Sequence, residues 1–130
     1  MDESQITYQV RGCIFEVYKD LGPGLLESVY EEALVYELQK KGLRFERQKD
    51  VPVIYKGIRL NSSLRLDLLI EDKVIVELKS VQELKDVHYK QLMTYLKLSH
   101  LYVGLLVNFS VDDILEGIHR IYNSKAKPKM

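Results

Sequence analysis

Cysteine, tryptophan and long apolar runs are scarce in this sequence. Its 130 residues include one cysteine, Cys13, and no tryptophan, which excludes an internal disulfide and a zinc site built from several cysteines. The longest apolar run, Leu101 to Val107, is far shorter than the ~20 residues of a membrane-spanning helix. The acidic start, Met1 to Gln5, is unlike a signal peptide. We therefore expect a cytoplasmic protein without a membrane segment.

An excess of charge of either sign is also missing. Nineteen basic and nineteen acidic residues give a net charge of zero and a pI near 6.8. No overall field therefore draws the protein to nucleic acid or anionic lipid, and any such contact needs a local patch. Apolar residues make up 46% of the chain, enough for a buried core. We expect a single domain over residues 1–130, with residues 121–130 as a frayed basic tail.

The first forty residues carry a helical periodicity. Apolar side chains recur at every third or fourth position over about Ser4–Asp20, and a second stripe of this kind ends near Lys41. This spacing predicts two helices. Gly22 suits the end of the first helix because it tolerates a positive φ. From Leu43 the period shortens to two, which is typical of strands.

Several strands follow the two helices. Pro52 lies in the first alternating run, and proline cannot donate a ladder hydrogen bond, so this strand is predicted to lie at a sheet edge. Lys56-Gly57 predicts a hairpin turn, and residues 61–63 predict a second turn or a bulge. In the next two runs the apolar residues of each strand are expected to share one face of the sheet: Leu64, Leu66, Leu68 and Ile70, then Val74, Val76 and Leu78.

The last third of the sequence completes the expected fold. A third helix is predicted over about Glu83–Leu98, a buried strand over Leu101–Val107 and an edge strand over Ile118–Tyr122. Residues 111–115 suit a helical turn. Together these elements predict an α/β domain in which helices flank a mixed β-sheet.

Two acidic side chains face each other if Leu64–Ile70 and Val74–Ser80 form an antiparallel hairpin. Paired residue numbers then sum to 144, which sets Asp67 opposite Glu77 with their Cβ atoms about 4.5–5.5 Å apart. Two such carboxylates repel by roughly 4 kcal/mol at an effective dielectric of 20. Solvation, a proton on one acid, Lys79 on the same face, or a cation such as Mg²⁺ or Mn²⁺ would relieve the repulsion.

The spacing of these residues does not decide their function. Glu-x-Lys occurs three times, beginning at Glu71, Glu77 and Glu83, and only the second triplet ends an apolar strand. A half-buried sheet whose outer face is merely polar explains the same spacing. Glu27, near the start of the second helix, is likewise explained by the positive end of the helix dipole.

An ordered set of motifs resembles the GxxExxY proteins, a family grouped with the PD-(D/E)XK nuclease superfamily. Gly24 to Tyr30 reads G-x-x-E-x-x-Y. Later segments are similar to the same family: Arg65–Ile70, Val76–Ser80, Gln91–Lys97 and Gly104–Phe109. The resemblance extends over roughly Ile6 to Tyr122 and implies a restriction-endonuclease-like core.

The resemblance also implies roles for particular residues. The implied metal ligands are Asp67, Glu77, Glu27 and the backbone carbonyl of Leu78. Lys79 would orient or help deprotonate the attacking water, and Gln91 would be the polar residue of the helix that follows. The implied cofactor is Mg²⁺ or Mn²⁺, which lowers the pKa of a bound water and stabilises the developing charge.

Three functions follow as hypotheses. The first is a metal-dependent nuclease that hydrolyses phosphodiester bonds of nucleic acid, DNA rather than RNA. The second is an inactive nuclease-like domain that binds nucleic acid or a protein partner, since a neutral domain of this size grips DNA poorly. The third is a structural subunit whose carboxylates bind a cation for stability. Edge strands, which can pair with those of a second copy, are compatible with a homodimer.

Overall fold

A five-stranded sheet forms the centre of the computed structural model, which describes residues 1–128. The helices are α1 (Glu3–Leu21), α2 (Glu27–Lys40), α3 (Asp86–Ser99) and the short α4 (Ile114–Gly117). The strands are β1 (Phe45–Tyr55), β2 (Ile58–Ile70), β3 (Val74–Lys79), β4 (Val103–Asn108) and β5 (Ile118–Tyr122). They lie in the order β1-β2-β3-β4-β5, and all neighbours are antiparallel except β3 and β4. The predicted mixed α/β architecture is confirmed.

The hairpin of β2 and β3 has the register that the sequence predicts. Leu68 pairs with Val76, and Ile70 pairs with Val74. Glu71 and Asp72 close the turn with positive φ angles. Because side chains alternate along a strand, this register determines which residues of β2 and β3 lie side by side.

Two separate cores lie on the two faces of the sheet. The α1/α2-side core has twenty buried residues from α1, α2, the sheet and the segments that adjoin them, among them Val10, Leu34 and Val76. The α3-side core has five buried residues: Leu66, Ile75, Leu92, Leu96 and Leu106. Burial of these apolar side chains holds the helices on the sheet.

The alternation of side chains along β2 reverses at Asp67. Leu68 and Ile70 pack in the α1/α2-side core, whereas Leu66 packs in the α3-side core. The prediction that Leu66 and Leu68 share a face is therefore wrong. The β1–β2 ladder skips the position where Gln48 would oppose Asp67, and Gln48 has a φ of +48°. This irregularity lets β2 rotate about its own axis, so that Leu66 faces the opposite side of the sheet from Leu68.

The first two strands form a long hairpin at one edge of the sheet. Pro52 lies in the edge strand β1, as predicted. The partner changes from Ser63 for Pro52 to Arg59 for Ile54, so β2 contains extra residues at this point. Because β2 runs through residues 61–63, the structure shows a bulge there instead of a turn. No helix within residues 1–128 is both long enough and apolar enough to cross a membrane.

The C-terminal segment is anchored to the domain. The predicted frayed tail over residues 121–130 is wrong for residues 121–126, which complete β5 and form a single 3-10 turn. The reason is Asn123, which is 6% exposed. Its side-chain amide donates to the carbonyl of Leu101 at 3.2 Å, and its backbone N–H donates to the carbonyl of Tyr102 at 2.7 Å. Residues 129 and 130 lie outside the described part of the chain.

Candidate active site

Asp67 and Glu77 meet where β2 and β3 separate. The last ladder pair is Leu68 with Val76. Beyond it, backbone N–H groups of the two strands donate to side-chain carboxyl groups instead of to backbone carbonyls. The Leu78 N–H donates to Oδ2 of Asp67 at 2.8 Å, and the Asp67 N–H donates to Oε2 of Glu77 at 3.2 Å. The structure thus brings together the two acids that the sequence sets opposite each other.

Burial controls the protonation of Glu77. Glu77 is only 7% exposed, and the resulting desolvation is the main reason why its pKa is raised to about 9. The hydrogen bond with Asp67 and the negative charge of Asp67 contribute less to the same rise. The ammonium of Lys79 acts in the opposite direction and lowers the pKa of Glu77. A buried carboxyl beside a second carboxyl prefers the neutral form. Glu77 therefore keeps its proton at neutral pH when no cation lies beside it.

Helix α3 adds a phenol and an amide to this site. The pKa of the partly buried Tyr95 is raised by burial and by the charges of Glu77 and Asp67, and lowered by a hydrogen bond with Gln91. Tyr95 therefore lies close to the acid pair, with the exposed Gln91 beside it. The sequence predicts Tyr95 to be a core or rim aromatic, and its ring does pack against the α3-side core. Its helical spacing from His88 and Gln91 was the signal that could have placed it at the site.

The GxxExxY segment forms the turn that leads into α2. Gly24 has a φ of +100°, a conformation that favours glycine. Tyr30 is fully buried and stacks on Phe109 with ring centroids 4.1 Å apart. Its hydroxyl donates to the carbonyl of Gly22 at 2.6 Å and accepts from the N–H of Leu25 at 3.1 Å. The phenol therefore holds both ends of the turn.

Glu27 is the exposed first residue of α2. The Ser80 hydroxyl donates to the carbonyl of Leu25 at 2.6 Å, so the turn before α2 is joined to the segment that follows β3. Within residues 1–128, no group of three His, Cys, Asp or Glu side chains is placed to hold a metal ion. Glu27 thus lies at the same end of β3 without forming a three-residue acidic cluster with Asp67 and Glu77.

A cleft of about 820 Å³ lies next to this end of β3. The segment after β3 and the first turn of α3 line it with Val81, Gln82, Glu83, Lys85 and His88. The buried Asn108 fixes this segment, because its side chain donates to the carbonyl of Val81 at 2.9 Å and accepts from the N–H of Val81 at 3.1 Å. The acid pair does not line the cleft.

A comparison with family models decides the affiliation of the chain. The model described as the PD-(D/E)XK nuclease superfamily matches residues 4–121. The chain belongs to this superfamily. Asp67, Glu77 and Lys79 all lie within the matched region, and the restriction-endonuclease-like fold that the sequence motifs imply is confirmed. No curated protein and no solved structure is significantly similar to the chain. The narrower GxxExxY assignment stays a prediction from the motifs.

Proposed function

We propose that this protein is a nuclease that uses Mg²⁺ or Mn²⁺ to hydrolyse phosphodiester bonds of nucleic acid, DNA in preference to RNA. The meeting of Asp67 and Glu77 at the divergence of β2 and β3 carries the proposal. Membership in a nuclease superfamily supports it. A buried carboxyl, that of Glu77, held against a second carboxyl is costly to the fold unless a partner of opposite charge compensates the pair, and a divalent cation is such a partner.

The available donor atoms suit a hard cation. Each carboxyl has one oxygen that accepts a backbone N–H from the other strand, which fixes the two groups side by side. Mg²⁺ binds one or two carboxylates and keeps several waters. We assign the cation to Asp67 and Glu77, with the Leu78 carbonyl as a further ligand and Glu27 as a contact to its waters. The ion would supply a water of lowered pKa and neutralise charge on the phosphate.

The remaining proposed residues act on the substrate and the attacking water. Lys79 places a positive charge close enough to Glu77 to lower the pKa of that carboxyl. We assign to its ammonium the orientation or deprotonation of the attacking water and the compensation of charge on the attacked phosphate. Gln91, exposed beside Tyr95, is assigned to hydrogen-bond the phosphate backbone of the substrate.

Cleavage assays with duplex and single-stranded DNA and RNA test the proposal. Asp67→Asn, Glu77→Gln and Lys79→Met should each lower cleavage in Mg²⁺ or Mn²⁺ by about 10²- to 10³-fold, and EDTA should abolish it. Asp72→Asn and Lys73→Met are matched controls from the turn of the same hairpin, and both should cleave like the wild type. Unchanged cleavage in all three site variants would show that the chemistry lies elsewhere.

A second candidate is a nuclease-like domain that binds nucleic acid or a protein partner without cutting. The observation in its favour is that the acidic side chains of residues 1–128 form no three-residue group able to hold a metal ion. For nucleic acid, this alternative predicts a salt-dependent gel shift that leaves the polynucleotide intact in Mg²⁺ and in Mn²⁺. Metal-dependent products would rule it out.

A further inference from the structure

Strands β1 and β2 extend well beyond the rest of the sheet. They contain eleven and thirteen residues, whereas β3 contains six. β3 pairs with β2 only over Leu68–Ile70. The hairpin of residues 52–63, called the arm below, therefore leaves the sheet on the strand that carries Asp67. Every residue of the arm except Val53 is exposed.

Basic residues predominate on this hairpin. Residues 49–65 contain four basic side chains and a single acidic one, Asp50, in a chain of zero net charge. At the base of the arm, Arg65 pairs with Asp50 at 3.3 Å, and Lys49 pairs with a glutamate of β1 at 2.7 Å. The local charge is therefore positive, and the remainder of the chain is negative.

The tip of the arm holds the basic groups that lack acidic partners. Lys56 and Arg59 form no ion pair with any residue of 1–128. The Lys56 ammonium lies 5.3 Å from the centre of the Tyr55 ring. Unpaired, solvated cations on an extended ribbon are suited to a polyanion, because each phosphate they neutralise releases a condensed counterion.

Apolar side chains accompany these charges. Ile54, Tyr55, Ile58 and Leu60 are exposed, Ile58 by 64%. Tyr55 pairs across the arm with Ile58, and Ile54 pairs with Arg59, so both faces of the tip carry an apolar group. The major groove of a DNA duplex admits a two-stranded β-ribbon, and proteins that bind the minor groove place apolar side chains beside basic ones.

We infer that the arm binds duplex DNA along a groove, with Lys56 and Arg59 on phosphates and the tip's apolar side chains against the groove, an inference that rests on the function proposed above. Strands rise about 3.3 Å per residue, so the tip at Gly57 extends up to about 33 Å from Asp67. One helical turn of duplex DNA spans about 34 Å. A duplex positioned at the acid pair is thus within reach of the tip about one turn away.

Binding of a fluorescent duplex of about three helical turns, measured in EDTA to prevent cleavage, tests the arm. The double variant Lys56→Gln/Arg59→Gln should bind about tenfold more weakly, and its plot of log affinity against log salt should be shallower by about two. The matched control, Lys19→Gln/Lys125→Gln, removes the same charge from exposed positions outside the arm. It should keep the wild-type affinity and slope.

Hydrolysis of bis-p-nitrophenyl phosphate in Mn²⁺ distinguishes a role of the arm in DNA binding from a role in the chemistry. This phosphodiester is too small to contact the acid pair and the arm at once. The arm variant should hydrolyse it at the wild-type rate. Absence of hydrolysis by the wild type would contradict the proposed nuclease function, while the duplex measurement would still decide the role of the arm. Unchanged duplex affinity and salt slope in Lys56→Gln/Arg59→Gln would overturn the inference. Loss of self-association in Ile54→Ser/Ile58→Ser, with DNA binding intact, would assign the arm to a second copy of the chain and overturn it equally.

Discussion

The two faces of the sheet differ in packing and in chemistry. The face under α1 and α2 has twenty buried residues in one core, whereas the face under α3 has five. Glu77 belongs to the α3 side, because it follows Ile75 by two positions in β3 and raises the pKa of Tyr95 in α3. Helices α1 and α2 cover the first face, and the single helix α3 covers the second. Most of the apolar burial that stabilises the fold therefore lies under α1 and α2, and the proposed chemistry lies on the face under α3.

Cavities in the two cores should have unequal effects. Leu34→Ala, in the α1/α2-side core, should lower the free energy of unfolding by about 4–5 kcal/mol, and Leu96→Ala, in the α3-side core, by about 2–3 kcal/mol. Both side chains are fully buried, but the smaller core has fewer neighbours to lose and can collapse more readily. Urea unfolding measures both values. Equal losses, or a larger loss for Leu96→Ala, would contradict the division between the faces.

Protonation of Glu77 should make the α3 side sensitive to pH. Below the unfolded pKa of 4.5 both states hold the proton, and between 4.5 and about 9 only the folded state does. Stability without divalent ions should therefore fall as pH rises through this window, by about 1.4 kcal/mol per unit. Above the folded pKa the loss should level off.

Replacing Glu77 by the neutral glutamine tests this pH dependence. The free energy of unfolding of Glu77→Gln should exceed that of the wild type at pH 7 by on the order of 3 kcal/mol, and the two should be nearly equal at pH 4. Glu83→Gln, which removes an exposed carboxylate, should follow the wild-type pH dependence. Denaturation in EDTA at a series of pH values supplies the comparison. Parallel curves for the wild type and Glu77→Gln would mean that burial of Glu77 does not hold its proton.

The turn before α2 should show a smaller effect. Tyr30→Phe keeps the stacking on Phe109 and removes the hydrogen bonds to Gly22 and Leu25, which should cost about 1–2 kcal/mol. Hydrogen exchange at the Leu25 amide should become faster. Tyr8→Phe, at a side chain that is 72% exposed, should change neither quantity. Unaltered exchange at Leu25 in Tyr30→Phe would show that the phenol does not hold the turn.

The sequence predicts the pairing of β2 and β3 well because it depends on local information. Two alternating runs joined by a short turn allow essentially one register, and the pairing of Leu68 with Val76 follows from it. The reversal at Leu66 was not predictable. It accompanies the break in the β1–β2 ladder at Gln48, a residue of another strand whose place beside β2 is fixed only by the fold.

The wrong prediction for the C-terminal tail and the missed closeness of Tyr95 to the acid pair have the same cause: both depend on contacts between segments that are distant in sequence. The frayed-tail prediction failed because Asn123 is anchored by carbonyls of residues 101 and 102, contacts between segments distant in sequence. The closeness of Tyr95 to the acid pair likewise depends on how α3 lies on the sheet. The sequence predicts that Asp67 and Glu77 lie together because both belong to one hairpin. The position of Glu27 relative to them depends instead on how α2 packs on the sheet.

Calorimetric titration of Mn²⁺ into the wild type and into Asp67→Asn tests most directly whether the acid pair forms a cation site. We expect saturable Mn²⁺ binding to the wild type and none to Asp67→Asn, with Asp72→Asn binding like the wild type. Equal Mn²⁺ affinity in the wild type and Asp67→Asn would contradict it.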